Sequence, residues 1–323
     1  MARYINPFTD WGFKRLFGQE FSKDLLISFL NDLLVGELHV RDVTFKDKEQ
    51  LADTKEQRGL IYDVYCETDT GDRFIVEMQN RWQPNFLDRS ICYACRSLLE
   101  QVKKGKGPDA YKLLPVYTVC FMNYMPRRGE VTKFRTDMII ADRDTKEMAS
   151  DKLRFIYLAL PLFKKTEDEC ATDFEKWIYV LTHMEALTRM PFTAQKKIFE
   201  KLAEYADRHH LNSKEYEQYE NSLWIARDNM ACIEATEREL REAREAKIQA
   251  RRQGLEEGRQ EGIKQGRQEG IKQGRQEGIE QGIEQGMVKQ KADTARKMLA
   301  KGLSLDDIML FTGLTEEQIR NLE

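Results

Sequence analysis

Of the 32 aromatic residues in this chain of 323, only Phe311 lies beyond Trp224. Aromatic side chains carry much of a core's buried area, so the packed part of the chain is expected to end near Trp224. From 237 to 291, 24 of 55 residues are charged and none is aromatic, so this stretch adds little to a core. The 33% of charged residues exceeds the usual ~25%, yet the formal net charge is only −3. That balance excludes a protein that binds nucleic acid through overall basicity alone. No stretch approaches the ~18 consecutive apolar residues of a membrane span, and residues 1–17 carry no apolar signal core. The expectation is a soluble, cytoplasmic protein without a membrane partner. Six cysteines without framework spacing fit a reducing compartment. Cys92 and Cys95 make a lone C-x-x-C inside a helical pattern, which reads as two buried thiols rather than a metal or redox pair.

Hydrophobic spacing sets the order of elements. Phe13, Leu16 and Phe17 share one helix face, and Leu25, Leu26, Phe29, Leu30, Leu33 and Leu34 another. Residues 40–45 read as a strand and residues 60–79 as a hairpin. Asn85 opens a helix with Phe86, Leu87, Ile91, Leu98 and Val102 on its apolar side, closed by Gly105 and Gly107. The run from Val116 to Met122 suits a strand buried on both faces. Strand-like pieces follow at 137–141 and 153–160, and helices from Asp173 to Trp224. This is a mixed α/β core with a helical extension.

The hairpin carries the chemistry. Asp69-Thr70-Gly71 fits a three-residue loop that ends in a left-handed glycine. That register pairs Thr68 with Asp72, Glu67 with Arg73, Tyr65 with Ile75 and Asp63 with Glu77. One face becomes Leu60, Tyr62, Val64, Cys66, Phe74, Val76 and Met78, as a core face should. On the other face two carboxylates stand opposite each other, which is destabilising unless something offsets it. A divalent metal is the simplest candidate, because Mg²⁺ binds through one or two carboxylates plus waters and phosphates. Gln79 lies beside the pair on the same face, and its amide can orient a water or bind a phosphate oxygen. The bland alternative is an exposed sheet face with ordinary polar residues, although Asp is depleted from strands.

At these residues the sequence resembles the PD-(D/E)xK nuclease superfamily, and more specifically the Rpn family of recombination-promoting nucleases and putative transposases. The resemblance rests on Asp10-Trp-Gly-Phe13-Lys14-Arg-Leu-Phe17, Tyr62-Asp63, Val76-Glu77-Met78-Gln79, Arg89 with Tyr93, Tyr111-Lys-Leu-Leu-Pro115-Val, and the glycine repeat. It implies a restriction-endonuclease-like core, with a central mixed sheet flanked by helices, and a metal-dependent DNA endonuclease with a role in recombination or mobility. Asp63 and Glu77 would hold Mg²⁺, or Mn²⁺ or Ca²⁺, and Gln79 would position the attacking water. Two departures stand out: no Pro precedes Asp63, and Gln79 replaces the superfamily's usual Lys, although the Rpn branch itself carries Gln there. Lys14 reads either as a catalytic-site phosphate contact or as a solvated lysine of an amphipathic helix. Arg81 and Arg89 could contact phosphates, and for Arg89 a structural salt bridge is the alternative. His209 and His210 read as solvated surface. The competing function is a catalytically weak or inactive nuclease fold that binds DNA or protein.

Nine glycines recur every four residues from Gly254 to Gly286, and residues 261–276 repeat EGIKQGRQ twice. Each glycine costs ~0.8–1 kcal/mol relative to Ala in a helix, which favours a flexible solvated spacer. The alternative is a self-associating right-handed bundle, because a period of four exceeds 3.6. That alternative would make a homo-oligomer. Beyond the repeat, Ser304-x-x-Asp307 and Thr315-x-x-Gln318 read as N-caps of two short helices around Gly313. They echo half a helix-turn-helix, but the second helix is acidic, which favours protein packing over DNA reading. The expected divisions are a nuclease-like core at 1–165, a helical extension at 166–235, the repeat at 236–291 and a small helical module at 292–323.

Overall fold

Residues 2–47, 49–50, 60–103, 111–127 and 131–322 are described by a computed structural model of the chain. They fall into two units, Met1–Cys232 and Ile233–Glu323. In the first, helices α1 (Asp10–Phe17) and α2 (Lys23–Leu33) precede strands β1 (Val43–Phe45), β2 (Glu49–Gln50), β3 (Leu60–Ile61), β4 (Val64–Thr68) and β5 (Arg73–Gln79). Helix α3 (Phe86–Leu99) leads to β6 (Val116–Met122), β7 (Arg135–Ala141) and β8 (Met148–Ala159). Helices α4 (Asp173–His183), α5 (Ile198–Ala206) and the start of α6 (Ser213–Ala300) follow.

Six strands form one mixed sheet in the order β1-β4-β5-β6-β8-β7. Neighbours β5, β6 and β8 are parallel, and the remaining pairs are antiparallel. Parallel neighbours need a long crossover, and α3 lies in the one between β5 and β6. The apolar run of β6 becomes a central strand covered on both sides. On one side Phe74, Val76, Val119, Phe121, Ile156 and Leu158 pack with residues of α1, α2 and α4. Phe121 lies 5.3 Å from Phe29 and 5.5 Å from Phe13 between ring centroids. On the other side α3 sets Tyr93 and Ala94 against Tyr65, Ile75 and Val116, and Phe86 against Cys120, Met122 and Tyr157. The result is the α/β core with a helical extension that the spacing predicts.

The hairpin takes the expected register. Tyr65 pairs with Ile75 and Glu67 with Arg73, the Thr68 N–H donates to the Asp72 carbonyl at 2.8 Å, and Gly71 has φ of +89°. One residue departs. Tyr62 packs with Tyr65 and Ile75 under α3 rather than with Val64 and Cys66. Strand pairing of β4 begins at Val64, and the preceding β3 pairs with β2, so the alternation of sides does not extend back through Asp63 to Tyr62.

The phase of α3 also differs from the expected one. Its buried residues are Phe86, Ser90, Tyr93, Ala94 and Ser97, while Ile91 is 46% exposed. Two serines can face inward because tyrosine hydroxyls satisfy them. Ser90 Oγ lies 2.7 Å from Tyr157 Oη and Ser97 Oγ lies 3.0 Å from Tyr65 Oη. This phase turns Cys92 and Cys95 outward as free, exposed thiols, which corrects their reading as buried. Gly105 and Gly107, expected to close the helix, lie outside the described residues.

Helices α4, α5 and the start of α6 join the sheet's own core through Trp177, Phe199, Leu202, Tyr219 and Leu223. The N-terminal segment is stitched to them: the Ile5 N–H donates to the Ala206 carbonyl at 2.9 Å, and the Asn6 N–H to Tyr219 Oη at 2.9 Å. Among the described residues no helix is long and apolar enough to cross a membrane.

The second unit corrects the flexible spacer. Helix α6 continues through all nine repeat glycines to Ala300. The residues between them include Glu, Gln, Lys and Arg, which are good helix formers. Its end packs Ala295 against Ile308 of α7 (Leu305–Thr312) and Ile319 of α8 (Glu316–Arg320). Ser304 and Thr315 cap these helices as the spacing predicts, and Gly313 turns between them with φ of +66°.

Because Phe121 anchors aromatic side chains from α1 and α2, Phe121→Ala should lower the stability of the first unit by ~3–5 kcal/mol. Urea unfolding followed by tryptophan fluorescence measures it, and a loss below ~1 kcal/mol would contradict this account of the core.

Candidate functional site

The end of the β4–β5 hairpin brings Asp63 and Glu77 together. The Met78 N–H donates to Asp63 Oδ2 at 2.8 Å, and the Asp63 N–H donates to Glu77 Oε1 at 3.2 Å. Each carboxylate thus accepts a backbone donor from the opposite segment. The pair extends the hairpin one step past its last ladder pair, Val64 with Val76. Glu77 is 5% exposed. Among the described residues neither Asp63 Oδ1 nor Glu77 Oε2 accepts a hydrogen bond.

Burial pushes Glu77 well above the usual carboxylate range, and the Asp63 charge adds to it. Asp63 is raised by burial first, against the opposing Met78 N–H and Lys14 charge. Arg89 favours the charged form of both.

The Lys14 charge, on α1, favours the ionised form of both carboxylates. Its ammonium lies 2.6 Å from Asp10 Oδ1, an i,i+4 ion pair within the helix, so the lysine is neither simply solvated nor free. The rest of the fold fixes the position of α1. The Thr9 hydroxyl accepts the Gly12 N–H at 3.0 Å, and a Cβ at Gly12 would collide with the Asn6 carbonyl oxygen. The Trp11 N–H donates to Ser222 Oγ at 3.1 Å, and Arg15 pairs with Glu215 at 2.6 Å.

Gln79 is 6% exposed. Its Oε1 accepts from Arg89 Nη2 at 2.6 Å and its Nε2 donates to the Arg81 carbonyl at 2.7 Å. These two bonds fix which way the amide points. Arg89 also donates to Gln83 Oε1 at 2.7 Å and lies 5.3 Å from the Phe86 ring centroid. Its Nε is buried without a partner. Among the described residues Arg89 makes no ion pair, so the structural salt bridge weighed for it is not formed. Arg81 is exposed and gives Gln79 only its backbone oxygen.

The structure therefore brings Asp63, Glu77, Gln79, Lys14 and Arg89 into one electrostatic neighbourhood, with Arg81 at its rim. His209 and His210 are elsewhere and exposed, His209 against Asp207 at 2.8 Å. Sequence reasoning missed Asp10, although its i,i+4 spacing from Lys14 was a usable signal. It also missed Cys120, which stands beside Glu77 in the parallel ladder. Burial and the Glu77 charge push the Cys120 thiol up.

Among the described residues no group of three or more His, Cys, Asp or Glu gathers as a metal cage. Two carboxylates, each with one oxygen unused, still suit a hard cation that keeps most of its water shell. A divalent charge would also relieve the mutual repulsion of the two carboxylates. The donor set fits Mg²⁺ or a similar ion.

The raised Glu77 makes a sign-specific prediction. A carboxyl whose folded pKa lies above its unfolded value of 4.5 favours the folded state fully below that value, and this stability is lost as pH rises through the folded pKa. Glu77→Gln removes the titration but keeps an acceptor for the Asp63 N–H. Without metal, Glu77→Gln should melt higher than wild type, by a margin that grows as pH rises above 4.5. Calorimetry across pH that returns a constant margin would refute the assignment.

Residues 7–236 match the PD-(D/E)XK nuclease family transposase, and residues 289–323 match the Rpn/YhgA-like nuclease family, C-terminal HTH domain. The second match sets DNA binding beside the protein packing that the acidity of α8 favours. No curated protein and no solved structure matches the chain. The first match covers most of the chain, the sheet and the helices on both its faces included, and the chain belongs to the PD-(D/E)XK nuclease family of transposases.

Proposed function

We propose that the chain is a metal-dependent DNA endonuclease that hydrolyses phosphodiester bonds in DNA recombination or mobility. The observation that carries this reading is the pair of half-buried Asp63 and buried Glu77, each anchored by one oxygen and each with one oxygen unused. In this reading both carboxylates hold a divalent ion, Mg²⁺ first. When bound, such an ion polarises the phosphate and makes a water acidic enough to attack near neutral pH.

Gln79 positions the attacking water. Arg89 and the Arg81 carbonyl occupy one lone pair and one N–H of its amide, which leaves a second of each to hold that water. Gln79 is neutral, so Arg89 supplies the positive charge beside the site. Lys14 exchanges Asp10 for a backbone phosphate, and Arg81 contacts the next one from the rim. The C-terminal HTH match supports DNA as the partner. Self-association through α6 belongs to the same reading. No atom beyond the local helix backbone lies within 4 Å of where a Cβ would stand on the repeat glycines, which leaves room for the close approach of a second helix.

One observation favours a second reading, a DNA- or protein-binding module with weak or no activity. The Gln79 amide already has a protein partner at both ends, so less of it is left for catalysis.

Plasmid nicking with Mg²⁺, Mn²⁺ and Ca²⁺ separates the two readings. Asp63→Asn and Glu77→Gln should each lower the rate by roughly 100-fold or more, the scale of losing one charge-stabilising group in an active site. Rates equal to wild type in both variants would reject the site, and no nicking by wild type with any of the ions would favour the binding module.

A further inference from the structure

The charges of the glycine repeat are sorted along its length. From 258 to 276 five basic residues, Arg259, Lys264, Arg267, Lys272 and Arg275, outnumber two acidic ones, Glu261 and Glu269. From 277 to 286 the charged residues are Glu277, Glu280 and Glu284. The first block thus has a surplus of three positive charges, and the second carries three negative ones. Within α6 they do not neutralise each other. No opposite charges in these blocks stand four residues apart, the spacing that stabilises a helix, while Glu280 and Glu284 repel at that spacing. Among the described residues none of these side chains forms an ion pair. Ile263, Ile271, Ile279 and Ile283 are each more than half exposed. Charge and apolar surface alike are left for something outside the helix.

A second copy of the repeat meets both needs when it runs antiparallel. A two-fold axis level with Lys272 sets residues 258–267 of each copy beside residues 277–286 of the other, basic against acidic. The same axis levels Arg267 with Glu277 of the second copy, Gly270 with Gly274 and Gly266 with Gly278. At about 100° per residue, these four glycines share one side of the helix with Ile263, Arg267 and Glu277. Lys272 points the opposite way, so the like charges at the axis turn outward. Small residues let helix backbones come close, and a Cβ at any of the four glycines would meet nothing within 4 Å. Charged residues flanking such a contact set its orientation. A parallel pair in register would stack basic block on basic and acidic on acidic, which repulsion disfavours.

We infer that residues 258–286 form an antiparallel helix pair with the same segment of a second copy, centred at Lys272 and oriented by Arg267 and Glu277. This rests on the self-association reading and deepens it, and it uses neither carboxylate of the candidate site.

The test is spin-label distance measurement on the full chain. The exposed Cys92, Cys95 and Cys232 are first replaced by Ser, and one label is introduced at a time through Gln253→Cys, Gln268→Cys or Gln290→Cys. An antiparallel pair separates like labels by ~3 Å for every residue from its centre, twice the helical rise. Labels at 268 should lie within roughly 30 Å of each other, and labels at 253 and at 290 roughly 55–60 Å apart. In sedimentation, Arg267→Glu should weaken the dimer by roughly tenfold, because two symmetry-related attractions become repulsions. Adding Glu277→Arg should restore it. Both side chains are exposed, so circular dichroism should show unchanged helix content in both variants. Short distances at all three positions would keep self-association and overturn the antiparallel pair. No coupling at any position would overturn both. A charge reversal without effect, or a double variant without rescue, would overturn the register. Distances as expected with no plasmid nicking would remove the nuclease reading and leave the helix pair intact.

Discussion

Two carboxylates, one buried and one half-buried, tie together the two segments of the hairpin end. Asp63 accepts the N–H of Met78, and Glu77 accepts the N–H of Asp63. This exchange closes the hairpin where the ladder stops, and it fixes two like charges side by side in a poorly solvated place. Burial and repulsion both favour their neutral forms. The charged groups nearby answer that cost. Lys14 comes from α1 and Arg89 from α3, on different helices, and both favour the ionised pair. On the α1 side, α6 clamps α1 through Ser222 and Glu215.

How much of this was legible in the sequence depended on distance along the chain. The hairpin register followed from strand alternation and one glycine, and it holds from Val64 to Gly71. It sets Asp63 against Glu77. The alternation broke at Tyr62, because the preceding residues pair with β2 instead. Apolar spacing gives α3 the wrong phase because it counts Ile91 and passes over Ser90 and Ser97. Those serines face inward only because Tyr157 and Tyr65, from distant strands, meet their hydroxyls. No local rule contains that information.

The bond between Arg89 and Gln79 is the clearest case. Each residue was singled out from the sequence, but with separate roles. Their contact joins the end of a strand to the first turn of the next helix. It places a fixed cation next to a neutral amide where a lysine is usual for the superfamily the sequence resembles. In the proposed reading, charge and hydrogen-bonding geometry, combined in a single lysine there, are divided between two side chains. The division also explains why Arg89 needs no acidic partner: its guanidinium is shared between two glutamine oxygens and the Phe86 ring.

The glycine helix has a mechanical consequence. Its beginning is buried through Tyr219 and Leu223, and its end is anchored by Ala295. Between them stand nine residues of low helix propensity whose Cβ positions face open space. Ordinary helices fray from their tips inward, but here the tips are pinned and the middle is weakest. The helix is therefore weakest in its middle rather than at its tips, because the low-propensity residues are gathered there.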